Sequence, residues 1–311
     1  VTFYDLFIII DIPEKSIERS YNEIHFEATT DFNHFQIDMA SNMDIMLIEF
    51  EEGHLEFTRE FDAVFVYFPR KIERGEQTKI KVWYAGYPKE AINPPWDGGF
   101  SWEKDENGKD WIGVSCQGLG ASTWWPCKDH QSDEPDSMRI TCSAKYPNKI
   151  IANGNLRKDT AIWSNYLNCW LNQSEWFVSY PINNYDVSIN IGDYVHFSDV
   201  YVSGNDSLDL SYYVLSYNEE KAKKHFLGPK FGVKGIRDFV NNHDRPLLGA
   251  IIKPKVGATK EILLEMTKQL VEGGAEFIKE DEIMSNPDIA PLEERVPYIM
   301  NYLNSIERKV I

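Results

Sequence analysis

The feature that most constrains the fold of this chain is an abrupt change in composition near residue 226. All nine tryptophans lie before this point, and residues 1–226 hold 20 Lys and Arg against 36 Asp and Glu, whereas residues 227–311 hold 12 against 13. No run of Ser, Pro or Gly that could act as a spacer separates the two parts. The sequence therefore predicts two domains, 1–226 and 227–311, joined without a linker.

The net charge of −17 and the pI near 4.9 indicate which partners to exclude. Phosphate binding needs a basic patch and none is evident, so we expect neither nucleic acid nor an anionic membrane as a partner. The apolar opening stretch is interrupted by Asp5 and ends at Asp11, which is too short for a signal peptide or a membrane span. Localisation and oligomeric state stay open.

The first part is predicted to be mainly β, as a sandwich or a saddle-like sheet assembly with its own core. Short segments rich in aromatic and β-branched residues alternate with Gly-rich or Asn-rich turns. Examples are YDLFIIIDI, NEIHFEA, DAVFVYF, TKIKVWYAG and NYDVSINIGDYVHF. In this part, a helical pattern occurs only from Glu219 to His225.

An acidic stretch in residues 93–140 suggests metal chemistry but does not require it. Asp129, His130 and nearby carboxylates could supply ligands, yet a mononuclear zinc peptidase needs two His at i and i+4 on a helix. Because His130 stands alone between Pro126 and Pro135, a solvated acidic loop is the favoured interpretation and a metal site the alternative. The four cysteines fit no zinc knuckle and no compact disulfide framework, which predicts buried thiols.

The same part carries four segments that resemble a known family, namely NPPWDGGFSW, SCQGLGASTWWPCKDH, DEPDSM and PINNYDVSINIGDYVHF. In order and spacing, over residues 1–226, they resemble the N-terminal domain of the M1 family of zinc aminopeptidases. The resemblance implies that Gln117 holds the free α-amino group of a peptide. A side-chain carbonyl oxygen can accept a hydrogen bond from an ammonium. The alternative for Gln117 is pairing with backbone in a tight, Gly-flanked hairpin.

The residues that this family uses for hydrolysis are not among these 311. The sequence contains no HExxH motif, no downstream Glu ligand and no GxMEN strand. Zinc is the metal of the resembled family, but its ligands are absent here. We therefore expect no bound cofactor in this part and no peptide hydrolysis by this chain.

From residue 227 onward, strand and helix patterns alternate. PLLGAIIKP and AEFIKEDE are predicted strands, ATKEILLEMTKQLVEGG and PLEERVPYIMNYLNSIE are predicted helices, and RKVI begins a third strand. This order predicts βαβ units of a barrel or of a doubly wound sheet, which place function at the carboxyl ends of strands. Lys253 closes the first strand, and Lys279, Asp281 and Glu282 close the second. Carboxylates suit Mg²⁺, although a solvated charged strand end is the alternative.

Two segments, GPKFGVKGIRDFVNNHDRPLLGAIIKPKVG and GGAEFIKEDE, resemble the superfamily of the RuBisCO large chain and RuBisCO-like proteins, over residues 227–311. The resemblance implies that Lys253 is a catalytic lysine for acid and base steps. It also implies that Lys279 is a catalytic lysine carbamylated by CO₂, which binds Mg²⁺ together with Asp281 and Glu282. The chain has KEDE where carboxylating forms usually have KDDE, and this favours a RuBisCO-like enolase over a carboxylase. Two βα units form only the start of a TIM barrel.

Three hypotheses follow. The chain is a fragment of an M1-type aminopeptidase that binds a peptide N-terminus, or a fragment of a RuBisCO-like, Mg²⁺-dependent enolase or carboxylase that acts on sugar phosphates. In the third, it is an artefactual fusion of two gene fragments without a joint function. Both parent families are enzymes, and neither active site is complete in this sequence. The first hypothesis covers the most residues, and the third explains the abrupt join.

Overall fold

The structure, a computed structural model, describes residues 1–203, 206–225, 232–253, 257–281 and 286–311. The chain divides into two compact units, Val1–Lys224 (unit 1) and His225–Ile311 (unit 2). Phe226 and Leu227, where the composition changes, lie outside the described residues. Strands account for 48% of the residues and helices for 17%.

Unit 1 is built almost entirely from strands. They are β1 (Phe3–Asp11), β2 (Ser16–Glu27), β3 (Phe32–Asp38), β4 (Met43–Phe50), β5 (Gly53–His54), β6 (Glu56–Glu60), β7 (Ala63–Ile72), β8 (Gln77–Gly86), β9 (Gly99–Lys104), β10 (Asp110–Ser115), β11 (Ser137–Lys145), β12 (Lys149–Ala152), β13 (Asn155–Ser164), β14 (Cys169–Val178), β15 (Ile189–Gly192), β16 (Tyr194–Ser203) and β17 (Asp206–Leu215). Helix α1 (Glu219–His225) follows β17.

The largest sheet of unit 1 has eight strands in the order β13-β14-β11-β1-β2-β8-β4-β5. A four-stranded sheet has the order β12-β15-β10-β9, a three-stranded sheet the order β3-β7-β6, and β16 pairs with β17 as a hairpin. The predicted strand NYDVSINIGDYVHF is divided, because Asn184–Asp186 form a 3-10 turn before β15 and β16 begin. The side chain of Asn183 accepts a hydrogen bond from the Tyr185 N–H, which stabilises that turn.

β1 lies at the centre of the eight-stranded sheet and explains how the core forms. It pairs antiparallel with β2 and parallel with β11, where Phe3 lies opposite Ser137. Its side chains alternate between half-buried and buried, so one face packs inside, with Tyr4, Leu6, Ile8 and Ile10 at most 1% exposed. Burial of such a side chain stabilises the fold by about 1.5–3 kcal/mol. The fully buried Trp124 and Trp125 pack in the same core.

Unit 2 alternates helices and strands: α2 (Gly232–Val240), β18 (Gly249–Ile252), α3 (Lys260–Glu272), β19 (Phe277–Glu280) and α4 (Leu292–Ser305). β18 and β19 are parallel neighbours connected through α3. The Ile311 N–H donates to the Glu276 carbonyl at 2.9 Å, and its carbonyl accepts from the Ile278 N–H at 2.8 Å. These two bonds pair Ile311 in parallel with β19, but residues 308–311 form no strand, and the sheet consists of β18 and β19.

The start and the core of α3 follow from the sequence of unit 2. The Thr259 side chain caps the helix by accepting from the Ile262 N–H, and the buried Leu263 packs with Ile252 of β18. The buried Glu276 accepts hydrogen bonds from the Leu248 amide, Asn242 and Arg245, and these lower its pKa.

Within the described ranges, no helix is both long enough and apolar enough to cross a membrane.

Candidate functional site

Gln117 lies in a tight turn directly after β10. The N–H groups of Leu119 and Gly120 both donate to the Cys116 carbonyl, at 3.0 and 2.9 Å. Gly118 and Gly120 have φ of +71° and +86°, a conformation that favours glycine, so the turn depends on them. Burial raises the pKa of the Cys116 thiol to about 11 and keeps it neutral, whereas Gln117 is exposed.

The first of the four family-like segments packs against this turn. A Cβ added at Gly98 would lie 2.7 Å from the Gln117 carbonyl oxygen, so only glycine lets the two backbones approach. Gly98 belongs to NPPWDGGFSW and Gln117 to SCQGLGASTWWPCKDH. The structure therefore places these two segments side by side around Gln117.

Tyr185 orients the Gln117 side chain. The Tyr185 hydroxyl donates to Gln117 Oε1 at 2.6 Å, across 68 positions of sequence. The 3-10 turn of Asn184–Asp186 positions Tyr185, which is 37% exposed. An amide oxygen has two lone pairs, so one remains for another donor. Sequence reasoning missed Tyr185, although it lies in the segment PINNYDVSINIGDYVHF.

The acidic residues after Trp125 are used for local structure. Asp129 Oδ2 accepts from the Ser122 N–H at 3.0 Å and from its hydroxyl at 2.7 Å, and the Asp129 N–H donates to Asp38 at 3.0 Å. His130 Nδ1 accepts from the Ser132 N–H at 3.2 Å. Among the residues that the structure describes, no three His, Cys, Asp or Glu side chains are grouped to hold a metal ion. The residues present therefore do not fit a zinc site.

In unit 2, residues at the ends of the two parallel strands lie close together. Lys253 directly follows β18, and its Nζ is 3.6 Å from Asp281 Oδ2, directly after β19. Lys279 is half-buried in β19 and lies opposite Ile251. The Asp281 side chain is only 5% exposed, against 60% for Lys253. Glu282 lies outside the described residues.

We refer to Lys253, Lys279 and Asp281 as the strand-end cluster. Asp281 supplies a hard carboxylate oxygen, the donor type that Mg²⁺ prefers, and it already lies beside a cation. Lys279 would add a second anionic oxygen donor if its amine carried a carbamate. Without that carbamate, Asp281 is the one anionic donor of the cluster, and no three His, Cys, Asp or Glu side chains among the described residues are grouped to hold a metal ion.

Glu280, between Lys279 and Asp281, has a different role. Its carboxylate accepts from Arg295 Nε at 2.6 Å and from Nη2 at 3.0 Å, and Arg295 comes from the first turn of α4. Arg295 is 1% exposed. Sequence reasoning treated Glu280 only as a departure from KDDE and did not single out Arg295.

Unit 2 is similar to a known protein family. Residues 232–310 match the family model "Ribulose bisphosphate carboxylase large chain, catalytic domain". A ribulose bisphosphate carboxylase-like protein of Archaeoglobus fulgidus is 38% identical over 86 residues, which are 28% of this chain and 20% of that protein. A 2,3-diketo-5-methylthiopentyl-1-phosphate enolase of Bacillus thuringiensis is 32% identical over 130 residues, 42% of this chain and 30% of the enzyme. The match thus spans less than a third of these relatives.

Solved structures identify the fold of the strand-rich part. The M1 zinc metallopeptidase of Deinococcus radiodurans, in a form bound to a Tyr-Ser-Ala substrate, matches with a TM-score of 0.59 and 16% identity, over 84% of this chain and 58% of that one. Native leukotriene A4 hydrolase of Saccharomyces cerevisiae matches with a TM-score of 0.51 and 12% identity, over 78% and 35%. The strand-rich part therefore has a fold like that of the N-terminal part of M1 peptidases.

Proposed function

We propose that residues 1–226 are the substrate-anchoring domain of an M1-type zinc aminopeptidase, with Gln117 as the residue that binds the free α-amino group of a peptide. One observation carries this proposal: Gln117 is exposed on a glycine-dependent turn, and the Tyr185 hydroxyl holds its Oε1 at 2.6 Å. The fold shared with a metallopeptidase whose structure contains a peptide substrate supports it.

The chemistry of the site favours a free N-terminus over a blocked one. A substrate ammonium has three N–H donors, and one of them can use the second lone pair of Gln117 Oε1. A hydrogen bond from a charged donor is about twice as strong as one between neutral groups. An N-acetylated peptide has no such charged donor, so it loses this interaction.

The test is an NMR titration of the full chain with alanyl-phenylalanine amide, recorded on the Gln117 side-chain NH₂ group. We expect a saturable shift with the free amine and none with the N-acetylated peptide, and loss of binding in Gln117→Ala. Gln77→Ala, at another exposed glutamine, serves as the matched control. Equal binding of both peptides would contradict the anchoring role.

The proposal assigns binding, and not hydrolysis, to these residues. The 311 residues contain no HExxH motif, which in the resembled family supplies zinc ligands and the general base. Gln117 cannot replace either, since an amide neither titrates near neutral pH nor activates water. We therefore propose that this chain by itself does not cleave peptides.

A second candidate function concerns residues 227–311, as the first two βα units of an incomplete RuBisCO-like TIM barrel. The distance of 3.6 Å between Lys253 Nζ and Asp281 Oδ2, across neighbouring parallel strand ends, favours it. In this proposal the strand-end cluster and Glu282 form a Mg²⁺ half-site of an enolase or carboxylase that acts on sugar phosphates. The deprotonated Lys279 amine adds to CO₂ and releases a proton, so that an anionic carbamate replaces a cation.

Calorimetric titration with MgCl₂ and bicarbonate tests the half-site. Saturable binding that Lys279→Ala removes and Lys309→Ala leaves intact would support it, because Lys309 is an exposed lysine that is not a member of the cluster. Identical titrations of all three proteins would contradict it.

We further propose that the chain is an artefactual fusion of two gene fragments and has no joint function. The change in charge and tryptophan content near residue 226 supports this. Amplification of source DNA across the codons for Phe226 and Leu227 tests it. A contiguous product at the natural locus would show that the joined protein exists.

A further inference from the structure

The Glu280–Arg295 ion pair lies directly behind the strand-end cluster. Two N–H groups of one guanidinium meet two oxygens of one carboxylate at 2.6 and 3.0 Å, and the remaining Nη1 donates to the Ala290 carbonyl at 2.7 Å. A bidentate fork of this kind fixes direction as well as distance, which a lysine ammonium cannot do.

The pair holds β19 from the side opposite to the cluster. Side chains alternate along a strand, so Glu280 faces away from Lys279 and Asp281. Glu280 and Ile278 line a cavity of about 160 Å³ together with residues of α3 and α4. The carboxylate is therefore anchored to the helix layer, while its two sequence neighbours face the other side of the sheet.

Stability alone does not explain this pair. Arg295 is 1% exposed but the Glu280 side chain is 36% exposed, so the pair is only partly buried. An ion pair that is taken out of water is often no better for stability than two apolar side chains of similar volume. A cation in the first turn of a helix also opposes the helix dipole, and Arg295 lies in the first turn of α4. What the pair does supply is a fixed orientation at one peptide unit, between two residues of the cluster.

We propose that Arg295 is a positioning residue for the Mg²⁺ half-site. Through Glu280 it fixes the backbone at the end of β19, and thereby the directions in which the Lys279 and Asp281 side chains leave it. The inference rests on the proposed RuBisCO-like function of residues 227–311. It adds to that function a second layer, formed by residues that bind neither metal nor substrate.

The test compares the full chain with the double variant Glu280→Met and Arg295→Met. Two methionines keep a similar volume and remove both charges together, so the thermal midpoint should stay close to that of the parent chain. Mg²⁺ affinity, measured with MgCl₂ and ¹³C-bicarbonate by calorimetry and by the carbamate ¹³C signal, should fall by about 10- to 100-fold, the range for outer-shell partners of metal ligands. If the pair only stabilises the fold, a double variant as stable as the parent chain should bind Mg²⁺ with the same affinity, and that result would overturn the proposal.

Amide hydrogen exchange at Lys279 separates this inference from the proposed function. If the parent chain binds no Mg²⁺, the half-site itself is wrong, and exchange decides the positioning role alone: about tenfold faster exchange in the double variant at equal global stability supports it. Unchanged exchange overturns it. If the double variant does not fold, Arg295→Lys keeps the charge but cannot form the bidentate pair with Glu280. It is measured in the same way, and we expect the same fall in Mg²⁺ affinity and the same faster amide exchange at Lys279.

Discussion

Replacement of Tyr185 by Phe removes one hydroxyl and tests how much the orientation of Gln117 contributes to binding. The 2.6 Å bond joins two side chains at the surface, so its contribution to stability lies at the low end of the usual net range of about 0.5–1.5 kcal/mol. Once released, Gln117 must lose its rotamer freedom when a ligand binds, which costs about 0.5–1.5 kcal/mol. Affinity for a free-amine peptide should therefore fall about two- to tenfold, with little change in the free energy of unfolding.

The assay is the titration with alanyl-phenylalanine amide, followed at the Gln117 side-chain amide, together with urea unfolding of each variant. Tyr180→Phe removes a hydroxyl from another exposed tyrosine, 59% accessible, and is the matched control. The reasoning is refuted if Tyr185→Phe leaves affinity unchanged while Gln117→Ala abolishes it. It is also refuted if Tyr185→Phe weakens the acetylated and free peptides equally.

Four further predictions concern stability, thiol reactivity, pH and activity. Arg59 donates four hydrogen bonds to backbone carbonyls, at 2.6 to 3.1 Å. Arg59→Met should therefore lower the free energy of unfolding in urea by about 2–4 kcal/mol. A loss below about 1 kcal/mol would show that these bonds do not stabilise the fold as expected. Burial raises the pKa of Cys116 to about 11 and of Cys142 to about 12, so iodoacetamide at pH 8 should label only the half-buried Cys169 in the folded chain, as mass spectrometry can check. The Leu248 amide, together with the side chains that donate to Glu276, lowers the pKa of Glu276 below its unfolded value. The contribution of Glu276 to stability is therefore complete above about pH 5 and is lost as the pH falls through the lowered pKa. Glu276→Gln should flatten that acid limb in thermal melts, and an unchanged limb would exclude Glu276 as its source. Purified chain with added zinc should release no fluorophore from alanyl-aminomethylcoumarin, whereas release that a chelator abolishes would reveal a metal site not recognised here.

Local patterns predicted most secondary structure correctly. Runs of aromatic and β-branched residues between turn signals identified β1, β7 and β8, and the predicted helix at Glu219–His225 is confirmed as α1. The helical pattern of ATKEILLEMTKQLVEGG likewise located α3. These elements follow from periodicities of 2 and 3.6 residues, which each segment carries within itself.

Helix α2 and the contacts between residues far apart in the sequence could not be predicted from local patterns. Helix α2 was missed because Gly232 and Gly235 weaken its helical propensity, although Val233, Ile236 and Phe239 recur at helical spacing. The sequence does not show that Tyr185 meets Gln117, because that contact depends on how β10 and β15 pair. The partner of Glu280 was equally invisible, since only the tertiary fold brings α4 to the end of β19.

The parallel pairing of β1 with β11 has a consequence for synthesis of the chain. The partner residues Asp5 and Arg139 are 134 positions apart, so the central strand of the largest sheet cannot acquire its second neighbour until more than a hundred further residues have been made. At about 5–20 residues per second, this leaves one edge of β1 open for roughly 7–27 seconds on the ribosome. During that interval the β1–β2 hairpin presents an unpaired, isoleucine-rich edge to other nascent chains and to chaperones.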